Sequence, residues 1–314
     1  MDIVSMSGRM CALPLLDLYR TSGFRSAHVH CETGETTAAD SDEVIMAITL
    51  SASHQQQLAQ LRIEPTVKRV RAKLGDQTVL DSRRALLVWE PNRVVPTYAV
   101  PIDDIQGAIA DAPSIPARTA EYPGSMWDPR VPFRVRLTPG RSVVISARTG
   151  AAADGFVAED PDLDGYVILD FPGFTTWLED NDEIISHPHD PYARIDVRQT
   201  DLHLVYTRDG ATIVDTQRAK ALYETYLPVR FYVPRDDVVV PLETSSTVTF
   251  CSYKGRATYY SAVVAEKTVP DLAWSYHDPL VDALAVKDCL AFFDEKLDVS
   301  IDGVPRPRPV TPWS

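Results

Sequence analysis

The stretch VKRVRAKLGDQTVLDS, residues 67–82, is matched later in the chain by LHLVYTRDGATIVDT, residues 202–216. Each contains two runs of alternating apolar and polar residues separated by a two-residue turn, Gly75-Asp76 in the first and Asp209-Gly210 in the second. This pattern predicts a β-hairpin, because alternation places every second side chain on one face and glycine tolerates the positive φ angles of tight turns. The protein is therefore predicted to be mainly β.

The segments that follow the two hairpins also match each other in order. SRRALLVWEPNRVVPTYAVPIDDI begins at Ser82, and TQRAKALYETYLPVRFYVPRDDV begins at Thr216. The aligned pairs are Arg84 with Arg218, Trp89 with Tyr223, Glu90 with Glu224, Tyr98 with Phe231, Pro101 with Pro234, and Asp103-Asp104 with Asp236-Asp237. An ordered set of matches at a nearly constant offset indicates an internal duplication. We therefore predict two tandem β-domains, the first over residues 65–190 and the second over residues 191–314.

Residues 1–64 differ from the rest of the chain. The stretch CETGETTAADSDE, residues 31–43, is polar and offers nothing to bury, so we predict a mobile arm over residues 1–64. Within this arm, SASHQQQLAQLRI from Ser51 carries two leucines one helical turn apart, which predicts a helix that Pro65 ends.

A helix is also predicted at the end of each domain. In the second domain, Asp278-Pro279 has the form of an N-cap followed by proline at the first helical position. The apolar residues that follow at helical spacing are Val286, Leu290, Phe293 and Leu297. The counterpart in the first domain, residues 160–183, is less regular because Pro172-Gly173 interrupts it.

The net charge and the hydropathy of the chain bear on two classes of partner, nucleic acids and membranes. The 314 residues carry 31 Lys and Arg against 44 Asp and Glu, which gives a formal net charge of −13. We do not expect nucleic acid as a partner, because phosphate binding depends on clustered basic side chains. We also expect no membrane partner, because no stretch approaches the ~20 apolar residues of a membrane span.

The cysteines argue against a metal centre. Cys11, Cys31, Cys251 and Cys289 form no C-x-x-C pair, so neither a zinc knuckle nor a thioredoxin-like motif is present, and we expect no metal and no other cofactor. A reducing, cytoplasmic setting is expected, because the spacing suggests no disulfide framework. Cys251 ends an apolar strand, TVTFC, and is expected to be a buried, inert thiol.

Four motifs carry a resemblance to a known family. They are VWEPNRVVPTYAVP in the first domain, and YETYLPVRFYVP, CSYKGRATYYS and AWSYHDPL in the second. Over roughly residues 67–303 the chain resembles the "domain of unknown function 427" proteins, and more particularly their tandem form. The resemblance implies two β-tent-like domains, each with two small antiparallel sheets meeting at an angle and a short helix. It implies no function, because a shared fold does not assign chemistry.

The second domain carries charged and aromatic residues that could line one pocket. Glu224 ends the apolar strand AKALYE, where an unpaired charge would be costly. Lys254 lies in the turn CSYKG, which Gly255 makes possible. Glu224 and Lys254 are the catalytic candidates if the protein is an enzyme. The candidate ligand-binding residues are Arg230, Tyr232, Tyr253, Tyr259, Trp274 and Tyr276 in the second domain, with Trp89 and Glu90 in the first.

Three functions stay open at this point. The first is binding of a small anionic or flat aromatic ligand in a pocket of the second domain. The second is a metal-free hydrolase, isomerase or lyase that uses Glu224 as base and Lys254 to hold an anion. The third is a non-catalytic interaction scaffold, in which Glu224 and Lys254 form an ion pair between strands and the aromatic rings fill the core. The ligand and the oligomeric state stay open in all three.

Three further segments are expected to be structural. EYPGSMWDPRVPF, residues 121–133, stands where the first domain should repeat CSYKG, and it has no lysine, so the site is expected only in the second domain. The histidines and the aspartate of HPHD, residues 187–190, lie in a linker without a second ligand cluster, which favours a solvated connection over a metal site. Asp103-Asp104 and Asp236-Asp237 have the composition of turns and caps.

Overall fold

The computed structural model describes residue 47, residues 49–113 and residues 136–311. The protein is mainly β, as the hairpins predict, and its four antiparallel sheets fall into two groups. We call these groups the first sheet pair, residues 62–184, and the second sheet pair, residues 195–306. Among the described residues, no helix has both the length and the apolar character needed to cross a bilayer.

The first sheet pair contains eleven strands. They are β1 (Arg62–Pro65), β2 (Val70–Leu74), β3 (Gln77–Ser82), β4 (Leu86–Trp89), β5 (Thr97–Pro101), β6 (Ala108–Asp111), β7 (Gly140–Ser146), β8 (Ala152–Ala158), β9 (Tyr166–Leu169), β10 (Thr176–Glu179) and β11 (Asp182–Ile184). A seven-stranded sheet has the order β1-β4-β5-β9-β8-β7-β6, and a four-stranded sheet has the order β11-β10-β2-β3.

The second sheet pair also contains eleven strands. They are β12 (Ile195–Gln199), β13 (Leu204–Arg208), β14 (Ala211–Thr216), β15 (Lys220–Glu224), β16 (Arg230–Val233), β17 (Leu242–Cys251), β18 (Gly255–Val264), β19 (Lys267–Ser275), β20 (Leu290–Phe292), β21 (Asp298–Ile301) and β22 (Val304–Arg306). Its seven-stranded sheet has the order β12-β15-β16-β20-β19-β18-β17, and its four-stranded sheet has the order β22-β21-β13-β14.

Helical structure is short throughout the described residues. The α-helix α1 spans Leu50–Gln57, within the region where the sequence predicts a helix. The 3-10 helices span Ile102–Asp104, Pro161–Leu163, Phe171–Gly173, Arg235–Asp237, Val281–Val286 and Asp294–Lys296.

The strand order of the first sheet pair recurs in the second. Each strand has a counterpart eleven strands later, so that β1 corresponds to β12 and β11 to β22. The two predicted hairpin turns join β2 to β3 and β13 to β14 at corresponding places. The repeat in the sequence and the repeat in the topology therefore coincide.

A matching ion pair fastens a 3-10 turn to the preceding hairpin in both sheet pairs. Arg84 pairs with Asp104, whose carboxylate also accepts a hydrogen bond from the Ser82 hydroxyl at 2.6 Å. In the second sheet pair, Arg218 and Asp237 form the same ion pair, and a threonine supplies the hydroxyl. The second aspartate of each Asp-Asp pair thus stabilises its turn through side-chain contacts, and neither 3-10 helix has a side-chain cap hydrogen bond.

The central strands of each seven-stranded sheet are buried on both faces. In the second sheet pair, Phe231 and Val233 of β16 and Phe292 of β20 pack in the core that also holds Tyr206 and Val299 of the four-stranded sheet. The opposite face, which we call the aromatic face, carries Leu222, Tyr232, Trp274, Tyr276 and Phe293. The 3-10 helix Val281–Val286 covers part of it.

The closing helices predicted for the two domains form only as short 3-10 helices, and the longer helix predicted from the spacing of Val286 to Leu297 is wrong. Beyond Asp278-Pro279 the chain forms the 3-10 helix Val281–Val286 and then β20, whose residues are all buried. A strand buried on both faces loses the polar alternation that would identify it, so its apolar residues can imitate helical spacing. In the first sheet pair, residues 160–183 likewise form strands β9 to β11 with short 3-10 turns.

The mobile arm predicted over residues 1–64 is wrong for the part that the structure describes. β1 pairs along its whole length with β4, as the edge strand of the first seven-stranded sheet. Leu58 is buried, and its carbonyl accepts a hydrogen bond from the Asn92 N–H at 2.5 Å. The polar composition of α1 concealed this role, because a few apolar residues around it make the contacts. Residues 1–46 of the predicted arm lie outside the described residues.

Candidate functional site

The structure brings the strand-end carboxylate and the turn lysine together. Lys254 Nζ lies 2.5 Å from Glu224 Oε2, and their side chains are 9% and 16% exposed. Glu224 ends β15 on the same side as Leu222, whereas Lys254 comes from the turn between β17 and β18. Gly255 closes this turn with a φ of 91°, which residues with a Cβ rarely adopt.

Lys254 is a permanently charged member of this pair. Burial acts to lower its pKa, but the negative charge of Glu224 outweighs burial and raises the pKa above the ordinary lysine value. Lys254 is therefore an ammonium ion at neutral pH and donates a hydrogen bond to the carboxylate. It can attract an anion, but it cannot act as a base.

Buried phenols border the ion pair on the aromatic face. Burial raises the pKa of Tyr232 to about 12 and raises that of Tyr276 well above its ordinary value, so both hydroxyls remain protonated. The indole N–H of Trp274 donates to Tyr232 Oη over 3.3 Å. Tyr259 is half-buried against the same cluster. The aromatic candidates of the second domain other than Tyr253 thus share one face of the sheet with Glu224 and Lys254, whereas Trp89 lies in the core of the first sheet pair.

Cys251 is half-exposed, which corrects the expectation of a buried thiol. The reason is that β17 forms the edge of its sheet, so the cysteine at its end is covered on one side only. Cys251 lies close enough to Lys254 to contribute to its raised pKa. Cys289 is buried, and burial raises the pKa of its thiol.

Arg230 is held in a separate buried network. Its guanidinium makes a bidentate contact with Glu295, with one of the two hydrogen bonds 3.0 Å long, and it lies 3.8 Å from Asp294. Its guanidinium carbon also lies 5.8 Å from the centroid of the Trp274 ring. Burial acts to lower the pKa of Arg230, but Glu295 outweighs it and raises the pKa. Arg230 therefore faces the aromatic rings with its positive charge already paired with the carboxylates of Glu295 and Asp294.

The acidic partners of Arg230 were missed by sequence reasoning. Asp294 and Glu295 are buried, and Arg306 also contacts Asp294 at 3.3 Å. Burial raises the pKa of Asp294 to about 6, although two arginines act to lower it. The only sequence signal was an acidic pair directly after the apolar run that ends at Phe293, and such pairs are usually exposed.

Tyr253 faces the segment between the two sheet pairs. Its hydroxyl accepts a hydrogen bond from the Asp190 N–H at 2.7 Å, and its ring centroid lies 4.8 Å from that of His189. Burial raises the pKa of the Asp190 carboxyl, and the nearby Trp89 side chain acts to lower it. Asp190 thus connects a candidate residue of the first sheet pair with one of the second.

The expectation that residues 187–190 form a solvated connection is wrong. His187 and Asp190 are both buried. Burial lowers the pKa of His187 to about 4 and raises the pKa of Asp190. The Ser252 hydroxyl donates to the His187 carbonyl oxygen at 2.7 Å, so the segment is fixed to the turn that carries Lys254.

The first sheet pair buries its own carboxylate and cations. Glu90 Oε2 lies 3.0 Å from Arg136 Nη1 and 3.6 Å from Arg93 Nε, and Glu90 and Arg136 are 1% and 3% exposed. Thr138 Oγ1 donates to the other carboxylate oxygen at 3.1 Å. Burial lowers the pKa of Arg93 to about 10, although Glu90 acts to raise it.

Arg136 is a cation that sequence reasoning overlooked. In the first sheet pair, Ser142 of β7 lies opposite Phe156 of β8, and at the corresponding place in the second sheet pair Tyr259 of β18 lies opposite Trp274 of β19. Counting back along the chain from Ser142 and from Tyr259, Arg136 corresponds to the residue directly before Lys254. The sequence comparison stopped at the stretch 121–133, which lies outside the described residues. A search for any cation near that place would have found Arg136.

A cleft of about 270 Å³ adjoins Arg136. Its lining consists of Ala112, Pro113, Arg136, Ser142, Val144, Asp154 and Gly155. Ser142, which lines the cleft, corresponds to Tyr259 in the second sheet pair. The second sheet pair thus has a large aromatic ring where the first has a small side chain. Within the described parts of the chain, no group of three or more His, Cys, Asp or Glu side chains is arranged to hold a metal ion.

These features define an all-β protein in which both seven-stranded sheets bury a carboxylate with a cation. Residues 196–303, which hold most of the second sheet pair, match the family described as "Domain of unknown function (DUF427)". We assign this segment to that family, which confirms the resemblance predicted from its motifs. No curated protein matches the chain.

Proposed function

We propose that the second sheet pair binds a small anionic or flat aromatic ligand beside Glu224 and Lys254. The observation that carries the proposal is the nearly buried Lys254–Glu224 pair among protonated phenols. A buried ion pair is a poor source of stability, and apolar residues of similar size would often serve the fold as well. Charged groups in such surroundings are enriched at binding and catalytic sites.

The chemistry of the pair favours an anion. Lys254 supplies a fixed positive charge, Tyr232 and Tyr276 can donate hydrogen bonds, and the rings offer flat surfaces for stacking. Half-exposed Cys251 and Tyr259 are the places where the cluster reaches solvent. If the same pair catalyses a reaction, Glu224 must be the base, because the raised pKa of Lys254 keeps it protonated.

A non-catalytic scaffold is the second candidate, and the mutual contact of Glu224 and Lys254 favours it. In that case the pair ties β15 to the turn after β17 and binds nothing else. The two candidates differ in what Lys254→Met does, because methionine keeps much of the side-chain volume and deletes the charge.

The experiment is a thermal-shift screen of the protein with a panel of aromatic carboxylates. A ligand at a hundred times its Kd should stabilise the native state by about 2.7 kcal/mol. We expect Lys254→Met to abolish this stabilisation, while Arg136→Met, which deletes a buried cation in the first sheet pair, retains it. A scaffold predicts no stabilising compound, and it predicts a loss of roughly 3–5 kcal/mol in Lys254→Met.

A further inference from the structure

Three polar side chains of the second sheet pair form a hydrogen-bonded row away from the site described above. Asp288 Oδ1 lies 2.7 Å from His277 Nδ1, and His277 Nε2 lies 2.7 Å from Tyr260 Oη. Tyr260 belongs to β18, His277 follows β19, and Asp288 precedes β20. Three separate parts of the chain therefore converge on one row of hydrogen bonds.

The carboxylate determines which ring nitrogen carries the proton. Ionised Asp288 can only accept, so His277 Nδ1 donates to it. In the neutral imidazole, Nε2 is then an acceptor, and the Tyr260 hydroxyl donates to it. This is the arrangement in which a histidine removes a proton from a nucleophile while a carboxylate orients the ring.

The fold does not require this row. In the first sheet pair, the ladder position of Tyr260 is taken by Val143, an apolar core residue. Asp288 has a φ of 58°, and at the corresponding place before β9 stands Gly165, with a φ of 76°. Aspartate adopts this conformation less readily than glycine, so the second sheet pair places a carboxylate here at some cost in backbone energy.

The three members of the row differ in their exposure to solvent. The side chains of His277 and Asp288 are 51% and 61% exposed, whereas Tyr260 is 8% exposed. The guanidinium carbon of Arg235 lies 5.2 Å from the centroid of the Tyr260 ring. Arg235 therefore lies over the face of the Tyr260 ring.

We propose that Tyr260 is a nucleophile for acyl transfer from activated esters, with His277 as its base and Asp288 as a positioning residue. Tyr260 Oη attacks the carbonyl carbon of the ester while its proton passes to His277 Nε2. The carbon–oxygen bond of the ester then breaks, and the leaving oxygen takes the proton from the imidazolium. The product is an acyl ester on Tyr260, and the step needs no oxidant or reductant.

The probe is 4-nitrophenyl acetate, added to the full chain. Absorbance follows the release of 4-nitrophenol, and peptide mass spectrometry locates the acetyl groups. We expect Tyr260 to be acetylated at least about tenfold faster than the exposed Tyr192 and Tyr223. His277→Gln should slow acetylation of Tyr260 by roughly a hundredfold, because general-base assistance is lost.

A matched control is His203→Gln. His203 makes the same kind of exposed contact, with Nε2 at 2.7 Å from Asp215, and the variant should leave Tyr260 acetylation unchanged. Acetylation of Tyr260 no faster than that of Tyr192, or unaffected by His277→Gln, overturns the proposal. If circular dichroism shows that His277→Gln does not fold, Asp288→Asn decides, since it must slow acetylation while leaving the base in place.

Discussion

Buried charges in this protein occur in pairs that join separate strands or turns. Among the described residues, three nearly buried examples are Glu90 with Arg136, Glu224 with Lys254, and Arg230 with Glu295. In each, the carboxylate offsets the cost of removing a cation from water. The pairs therefore matter most through what happens when one partner is lost.

Glu90 offers the sharpest test of this view. We expect Glu90→Gln to lower the free energy of unfolding by roughly 3–5 kcal/mol, because buried Arg136 keeps its charge and loses the carboxylate that it pairs with. Urea unfolding followed by tryptophan fluorescence measures the change, since Trp89 and Trp177 lie in the same core. The control is Asp111→Asn, which removes the partner of Arg141 in an exposed pair and should change stability by less than about 1 kcal/mol. Equal losses in the two variants would contradict the argument.

Among the elements, β1 shows how little apolar sequence suffices to complete a sheet. It lies at the edge of the first seven-stranded sheet, and Leu58 before it is buried. Nothing in the alternation of β1 distinguishes it from a loop, since it has four residues and one of them is proline. The strand exists because β4 supplies a partner, and β4 comes more than twenty residues later in the chain.

A shortened chain tests the role of β1. A chain that begins at Glu64 loses α1, Leu58 and half of β1, and we expect it to lose at least about 3 kcal/mol of stability. A chain that begins at Ala47 keeps all three and should melt within a few degrees of the full chain, because the stretch 31–43 that it lacks is polar and offers little to bury. Thermal melts by circular dichroism compare the three chains. If the chain from Glu64 melts with the others, β1 contributes little.

For the molecule as a whole, we expect the stability of the fold to depend on pH through the segment between the two sheet pairs. His187 is buried there, and burial lowers its pKa to about 4 from 6.5. As the pH falls below about 6.5, the unfolded chain takes up a proton that the folded chain refuses, so stability is lost until about pH 4. The loss from this one group should approach about 3 kcal/mol.

His187→Gln separates this effect from other titrations. The stability advantage of the natural protein over His187→Gln should shrink as the pH falls from about 7 to about 4.5, as measured by urea unfolding at each pH. Comparing the two proteins at the same pH cancels the titrations that they share, so a change in the difference with pH belongs to residue 187. If the stability difference between the natural protein and His187→Gln does not change with pH, His187 does not control the pH response.

The amino-acid pattern was sufficient for the fold class, the hairpin turns and the repeat. Alternation of apolar and polar residues is a local property, as is the tolerance of glycine for positive φ, so both can be read without knowing the fold. The motifs around Glu224 and Lys254 were found for the same reason, because CSYKG requires only neighbouring residues. The pattern failed at β20, where burial on both faces removed the alternation, and at β1, where the partner strand supplies the order.

The tertiary structure alone determined the partners of the ion pairs and the burial of the side chains. Lys254 pairs with a carboxylate 30 residues away, Arg136 with one 46 residues away, and Arg230 with one 65 residues away. No local rule predicts such partners, because ion pairing depends on distance in space and the separation along the chain carries no information about it. The burial of His187 also depends on the fold. The composition of its linker predicted exposure to solvent, but the folded chain buries it. Its neutral state follows from exclusion of water in the folded chain, where Ser252 and Tyr253 pack against it.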